Sequence, residues 1–338
     1  MAPVLTIAVP CYNVERYLDR SLPPYGDPRF VGRLEVVLVD DGSTDNTPNL
    51  LADFARKNPD VVKIITKENG GHGSAVNAAL AHAEGMYFRI VDGDDWVNPD
   101  GLNAMLDAMS ASEADLVVDL KREVHLITGE SELFELPDYV PTGATVSFPD
   151  VCCEHDTESY VMIHTLSVRT ELLRSERVSL LEKTFYEDYE YVVKATVPAR
   201  TIAFHSHEVY QYLVGNASQS VSAENYVKRW DDHMRVLREI VRYEDEQAQR
   251  ALDPRVKRYL ARKIDLMVHT LYNIALIYDH DRARGMTRAK KLRSELSQRC
   301  PAHEQATRKR YRMALALHAL GFDSKKLDKL MGRSLERG

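Results

Sequence analysis

The sequence predicts an α/β protein with a mainly parallel sheet, followed by a C-terminal helical region. Three observations carry this prediction. Apolar, β-branched runs recur along the first 120 residues, amphipathic helical patterns separate them, and from residue 223 onward the helical patterns continue with few breakers. Continuous apolar strands alternating with helices imply a parallel sheet covered on both faces, and such sheets bind ligands beyond the carboxyl ends of their strands.

The apolar runs are LTIAV (5–9), LEVVLV (34–39), VVKIIT (61–66), MYFRIV (86–91) and ADLVVDL (114–120). Between them, segments 15–22, 48–56, 74–83 and 101–109 place apolar residues at three- and four-residue spacing. Each of the first four runs ends in residues a buried strand does not need: Pro10, Cys11, Tyr12 and Asn13; Asp40, Asp41, Gly42 and Ser43; the glycine-rich 69–73 loop; and Asp92, Gly93, Asp94 and Asp95. Folding as β-α repeats brings all four to one rim. From about residue 121 the alternation gives way to a mixed region, richer in Tyr and His, that runs to residue 222. The expected organisation is therefore 1–120 as a ligand-binding half, 121–222 as a half completing the site, and 223–338 as a basic helical region.

With 44% hydrophobic and 28% charged residues over 338 positions, the chain can bury a real core. No apolar stretch approaches membrane-span length, the opening MAPVLTIAVPCYN lacks signal-peptide features, and Cys11, Cys152, Cys153 and Cys300 are too scattered for a disulfide framework. A cytoplasmic protein is the expectation. Cys152, Cys153 and His155 lack metal-site spacing. The net charge of −7 conceals an asymmetry, because residues 286–338 carry fourteen Lys/Arg against five Asp/Glu, +9, leaving −16 for the rest. No nucleic-acid-binding signature accompanies this tail, so an anionic membrane surface fits it better than nucleic acid.

Asp92, Asp94 and Asp95 fall within four positions at a strand end, where each raises the others' pKa unless a cation sits among them. A polar turn ahead of the Asn98 cap and Pro99 explains the cap but not the acids. Hard oxygen donors of this kind suit Mg2+ or Mn2+. The 69–73 loop opens a helix and is read either as an anion-binding turn or as a tight connection. Glu187 and Asp188 begin another helical pattern, where acids also complement the helix dipole.

Together, VPCYN (9–13), VDDGSTDNT (39–47), ENGGHGSAVNAAL (68–80), DGDDW (92–96) and the Glu187, Asp188 pair resemble the family 2 glycosyltransferases, which have the GT-A fold. The resemblance covers roughly residues 4–222. It implies inverting, non-processive transfer of a sugar from a nucleotide-sugar, with a UDP-sugar expected, to a hydroxyl of a glycan or lipid-linked saccharide. Pro10, Tyr12, Asn13, Asp40, Asp41, Asn69, Gly71, Asp92, Gly93 and Asp94 then face the donor. Tyr12 and Asp41 suit a uracil ring and its N3–H. Asp94 and Asp95 hold Mg2+ or Mn2+, Asp188 is the general base and Glu187 its neighbour in the acid pair.

One departure stands out: where the family often has Arg-Asn-x-Gly, this chain has Val76, Asn77, Ala78 and Ala79. His205 or His207 could complete a metal shell, and Gln219 and Ser220 could lie over a diphosphate. Trp96 is read as packing. A nucleotidyltransferase would lead its first strand into a glycine-rich loop, a dehalogenase-type phosphatase would carry its acids after the first strand, and a processive synthase would carry QxxRW, where here Tyr226 precedes Arg229 and Trp230. A non-catalytic nucleotide-sugar-binding protein is the remaining alternative. The C-terminal helices are expected to meet the inner face of a membrane or a second copy of the chain.

Overall fold

The computed structural model describes residues 2–153, 159–215, 222–323 and 326. It divides into two compact units, Met1–Val214 and Gly215–Gly338.

The first unit is built on a ten-stranded sheet. Its first four strands, β1 (Leu5–Cys11), β2 (Leu34–Asp40), β3 (Val62–Thr66) and β4 (Tyr87–Ile90), lie side by side in the order β3-β2-β1-β4, all parallel. Every residue of β1 and β2 is buried, as unbroken apolar runs require, whereas the edge strand β3 exposes Lys63 and Ile64. The helices α1 (Glu15–Ser21), α2 (Thr47–Lys57) and α3 (His72–His82) provide the crossovers. The chain adds β2 and β3 on one side of β1 and then returns to lay β4 on the other. That reversal is the topological switch point, and it opens a crevice beyond the ends of β1 and β4.

Beyond β4 the sheet becomes mixed. The run at 114–120 lies in β6 (Leu116–His125), yet β6 does not adjoin β4. β9 (Leu166–Arg169) slots between them, antiparallel to both. On its other side β6 pairs in parallel with β10 (Thr201–Val214), whose register slips around Phe204, Glu208 and Tyr210. β10 then receives β5 (Trp96–Val97) and β8 (Thr145–Ser147), both antiparallel, and β6 receives β7 (Ser131–Phe134). Between β5 and β6 runs α4 (Pro99–Ser110), and around β8 and β9 lie the short α5 (Phe148–Val151) and α6 (Thr170–Ser175). Helix α7 (Glu187–Thr196) precedes β10. A buried salt bridge, Arg89 with Asp119, ties β4 to β6 across β9; Ser167 and the His164 carbonyl also accept from the guanidinium, and its Nε is left without a partner among the described residues.

The second unit comprises α8 (Ala223–Lys228), α9 (Trp230–Gln247), α10 (Pro254–Asn273), α11 (Arg282–Arg299) and α12 (Pro301–Ala319). A π turn, Ile274–Tyr278, extends α10, and Gly285 lets α11 pass close to it, since a Cβ there would lie 1.9 Å from the Ala275 carbonyl oxygen. No helix among the described residues is long and apolar enough to cross a membrane.

Candidate active site

The four chain segments flagged at strand ends meet at the crevice. After β1, Asn13 adopts a left-handed backbone (φ 54°), donates its N–H to Ser43 Oγ at 3.1 Å and accepts from the Thr44 N–H at 2.8 Å. Asn46 stands at the cap of α2, and the Thr47 hydroxyl accepts from the Val14 N–H at 3.0 Å. The β1 and β2 loops are thereby sewn together. Pro10 presses on the aspartate loop: a Cβ at Gly93 would stand 2.7 Å from the Pro10 carbonyl oxygen, so only glycine permits this approach. Tyr12 leaves half of its surface open.

Asp40 turns back to accept from the Ser43 N–H at 3.0 Å, a loop-closing role. Asp41 is 2% exposed and accepts from Lys67 Nζ (2.7 Å), Gly70 N–H (3.0 Å) and Gly71 N–H (2.8 Å). This resolves the two readings of the glycine-rich loop. Its Gly70 and Gly71 amides bind an anion, but the anion is the protein's own Asp41. Asn69 lies in the same loop, and a Cβ at Gly42 would come within 2.9 Å of its amide nitrogen. The Asn77 side chain is engaged within the protein: its amide donates to the Leu180 carbonyl (3.0 Å) and accepts from the Leu180 N–H (2.9 Å). Val76, at the place of the expected arginine, is 1% exposed.

The three aspartates after β4 have separate environments. Asp95 is 2% exposed; one oxygen accepts from Tyr210 Oη at 2.6 Å and the other from the Leu213 N–H at 2.7 Å, which fastens the loop to β10. Burial, and then the charges of Asp94 and Asp92, push its carboxyl well above the usual range. Among the described residues, Asp92, Asp95 and His164 have ligand atoms within 4.8 Å of one another and could hold a metal ion, so the expected ligand Asp95 belongs to this group and Asp94 does not. Each Asp95 oxygen also accepts a hydrogen bond from β10. No hydrogen bond or ion pair from another described residue engages the Asp94 carboxylate, and burial, followed by the Asp92 charge, pushes it up to about 6. A carboxylate so placed, beside Asp92 and made of hard oxygen donors, fits Mg2+ or Mn2+. Trp96 packs under the Arg20 guanidinium, 4.3 Å from its ring centre, in agreement with a structural role.

Asp92 faces two histidines that sequence reasoning did not single out. His72, the first residue of α3, places Nε2 3.0 Å from Asp92 Oδ1 and Nδ1 2.7 Å from Glu187 Oε1. Burial opposes the ring's charge, yet the hydrogen bonds it donates to Asp92 and Glu187 outweigh it and hold the pKa well above its ordinary value. His164 lies 3.9 Å from Asp92 Oδ2, edge-on to Tyr210, and burial lowers it to about 4, so it is a neutral imidazole at pH 7. His205 and His207, the histidines the sequence did flag, stack on each other with ring centres 5.8 Å apart and are not members of the compact acid–histidine group. The missed signal was available in GGHG: a histidine directly after a left-handed glycine at a helix start, on the rim.

Tyr186 takes a left-handed backbone (φ 68°) and starts α7. Glu187 turns inward, 4% exposed, to His72, while Asp188 stays solvent-accessible. The protein around the Asp188 carboxyl, and then the Glu187 charge, push it up to about 6. The neighbouring Glu190 is fully buried and bonded to Lys194 Nζ (2.6 Å) and the Leu181 N–H (3.2 Å), which removes it as a base. Gln219, Ser220 and His155 lie outside the described residues.

Residues 6–140 match the family model described as Glycosyl transferase family 2. The chain is 38% identical over 104 residues to chondroitin synthase of Pasteurella multocida (strain Pm70), covering 31% of this chain and 11% of that protein. It is 26% identical over 220 residues to the poly(ribitol-phosphate) beta-N-acetylglucosaminyltransferase TarS of Staphylococcus aureus (strain Mu50 / ATCC 700699), covering 64% of this chain and 37% of TarS. The chain thus spans well under half the length of these curated relatives. Among solved structures, S. aureus TarS residues 1–349 in complex with UDP-GlcNAc superimposes with a TM-score of 0.65 at 20% identity, covering 94% of this chain and 92% of that one, a likeness of GT-A fold.

Proposed function

Residues 6–140 belong to glycosyltransferase family 2, and from that premise we propose that the chain transfers a sugar, with inversion, from a nucleotide-sugar to an acceptor hydroxyl. The observation that carries this reading is the His72 bridge, which brings the Glu187, Asp188 pair to the same rim as Asp92 and Asp94. A donor seated at Asp92 and Asp94 then has an accessible carboxylate nearby. Asp188 is that carboxylate, with a pKa of about 6 suited to accepting a proton near neutrality. It deprotonates the acceptor hydroxyl while the oxygen attacks the anomeric carbon from the face opposite the diphosphate.

Residues 1–120 form the donor half in this reading and 121–222 the acceptor half. The open ring of Tyr12 offers a flat surface to a base, and Asp41, already accepting three hydrogen bonds, retains room for one further donor such as a uracil N3–H. Pro10, Asn13, Asp40, Asn69, Gly71 and Gly93 shape the loops around it. Mg2+ or Mn2+ at Asp94 would supply Lewis-acid stabilisation of the charge building on the leaving nucleoside diphosphate. The TarS complex with UDP-GlcNAc makes that nucleotide-sugar the first donor to try; a glycan or lipid-linked saccharide is the acceptor class, and the basic C-terminal helices are assigned to an anionic membrane surface.

The test is UDP release from a panel of UDP-sugars with Mn2+, with and without saccharide acceptors. Acceptor-stimulated release that Asp188→Asn abolishes supports the reading. Donor binding with no release in any combination would replace the enzyme with a nucleotide-sugar-binding protein.

A further inference from the structure

We propose that His72 is a positioning residue that sets the base-bearing segment against the donor-side acids: it holds Glu187, and with it Asp188, in register with Asp92. The inference rests on the glycosyl-transfer reading above and gives a role to a residue within the 68–80 stretch to which neither the resemblance nor the metal-binding pattern assigned one.

The geometry is specific. Ionised carboxylates only accept hydrogen bonds, so a ring with Nδ1 2.7 Å from Glu187 and Nε2 3.0 Å from Asp92 donates from both nitrogens. The backbone is built to allow it. Gly71 takes φ 85° immediately before the histidine. A Cβ at Gly73 would strike the Leu181 carbonyl oxygen at 2.3 Å and approach Glu187 Cγ at 3.1 Å, so the start of α3 lies directly against the segment leading into α7.

Other contacts already fix that segment's backbone. The Lys183 N–H donates to the Gly70 carbonyl at 2.6 Å, Asn77 clamps Leu180 from both sides, and Glu190 holds the Leu181 N–H. None of these reaches the aspartate loop. His72 does, and it supplies a donor pair between acids that would otherwise repel. Of the other basic groups nearby, Lys67 is bonded to Asp41 and Arg89 to Asp119, Val76 contributes none, and Arg16 acts on Asp94 through its charge without bridging to Glu187 among the described residues. The role is therefore alignment of side chains across the crevice, over a backbone that stands without it.

His72→Ala and the size-preserving His72→Gln test this, together with Glu187→Gln and the His72→Ala/Glu187→Gln double variant. His72→Ala should melt within a few degrees of wild type, bind UDP with Mn2+ within about threefold, and lose roughly 10- to 100-fold in kcat, the usual cost of removing a residue that orients a working group. His72→Gln, which still donates but cannot span both acids rigidly, should fall between. The double variant should lose no more than the worse single one, because both break the same bridge. Wild-type kcat in His72→Ala, or additive losses in the double variant, would overturn the proposal.

A crystal structure of His72→Ala provides a readout that needs no turnover. Glu187 is expected to swing away from Asp92; if the two carboxylates keep their spacing, His72 positions nothing. Failure of the transfer reading has a different signature, namely no sugar transfer by the wild-type chain with the His72→Ala displacement still present.

Discussion

His72 and His303 have nearly the same hydrogen-bond geometry. Both ring nitrogens face carboxylate oxygens, at 2.7 and 3.0 Å around His72 and at 2.8 Å (Asp265) and 2.9 Å (Glu244) around His303. His303 pins α12 to α10 and α9 inside the helical unit, with its side chain 6% exposed. His72 keeps 31% of its side chain open on the rim. The charge around them differs more than the bonds do. At His303 two acids share one cation; at His72 the same arrangement has Asp94 and Asp188 as neighbours, both raised to about 6. A bridge that satisfies its surroundings is a clamp, whereas a bridge with acids left over leaves an appetite for a cation and a proton, which is what a site needs.

The strongest way to break this contrast is to remove the surplus. Asp188→Asn should lower transfer by roughly 10²- to 10⁴-fold with UDP affinity unchanged, and Glu187→Gln should cost less. Asp94→Ala should abolish Mn2+-dependent donor binding, measured by calorimetry, and leave the fold intact. His303→Gln should leave turnover unaltered. Equal losses at His303 and Asp188 would erase the distinction between clamp and site.

A second test concerns an ion pair that is wholly buried. Arg89 and Asp119 are both fully buried and bonded to each other behind His164. Asp119→Ala strands a guanidinium in the core and should destabilise the sheet unit by about 3–5 kcal/mol, read from denaturant midpoints. A loss below about 1 kcal/mol, the range of an exposed pair, would mean that burial does not govern these networks.

Which of these features could be read in the sequence follows from the range of the forces involved. The β1–β4 strands and their helices were legible because each writes its own apolar periodicity, and Asn98 with Pro99 reads as a cap because capping is local; Asn98 does accept from the Asp100 and Gly101 N–H groups. The insertion of β9 between β4 and β6 was not legible, since four residues, LSVR, carry no statement of their partners. The convergence of strand ends was foreseen from topology. The division of labour among the aspartates was not, because whether Asp95 serves an ion or the Leu213 amide depends on a strand more than a hundred residues later. His72 escaped notice for the same reason: a lone histidine acquires meaning only when Glu187 and Asp92 arrive on either side.

The His303 clamp makes a prediction in pH. Burial opposes its charge, but the hydrogen bonds it donates to Asp265 and Glu244 raise it to about 9 in the folded chain. A group raised on folding stabilises fully below its unfolded pKa, about 6.5, and that contribution is lost as pH rises through the folded value. The helical unit should therefore weaken between about pH 6.5 and 9, by on the order of 3 kcal/mol in total. His233 in the same unit, lowered by burial to about 3, acts in the opposite sense and below that window. Hydrogen exchange of α12 at pH 6 and pH 9.5, in wild type and His303→Gln, measures it. Identical pH dependence in both proteins would assign the effect elsewhere.

The smallest expected effect lies on the other face of the same helix. While His303, Thr307, Tyr311, Ala314 and His318 turn α12 inward, Lys309, Arg312, Met313 and Leu320 are exposed, with Met313 46% and Leu320 73% accessible. Cations beside apolar side chains suit the boundary of an anionic bilayer, and each basic residue near such a surface contributes about 1 kcal/mol. Because that attraction is electrostatic, salt should weaken it. The chain is expected to float with vesicles containing phosphatidylglycerol at low salt, to release at high salt, and to ignore neutral phosphatidylcholine vesicles. Lys309→Glu with Arg312→Glu should reduce flotation and leave the His303-dependent pH profile untouched, since the two faces of α12 would then be doing separate work. Flotation that is equal for anionic and neutral vesicles, or absent from both, would remove the membrane from this account. A concentration-dependent dimer lost in the same double variant would instead assign the face to a second copy of the chain.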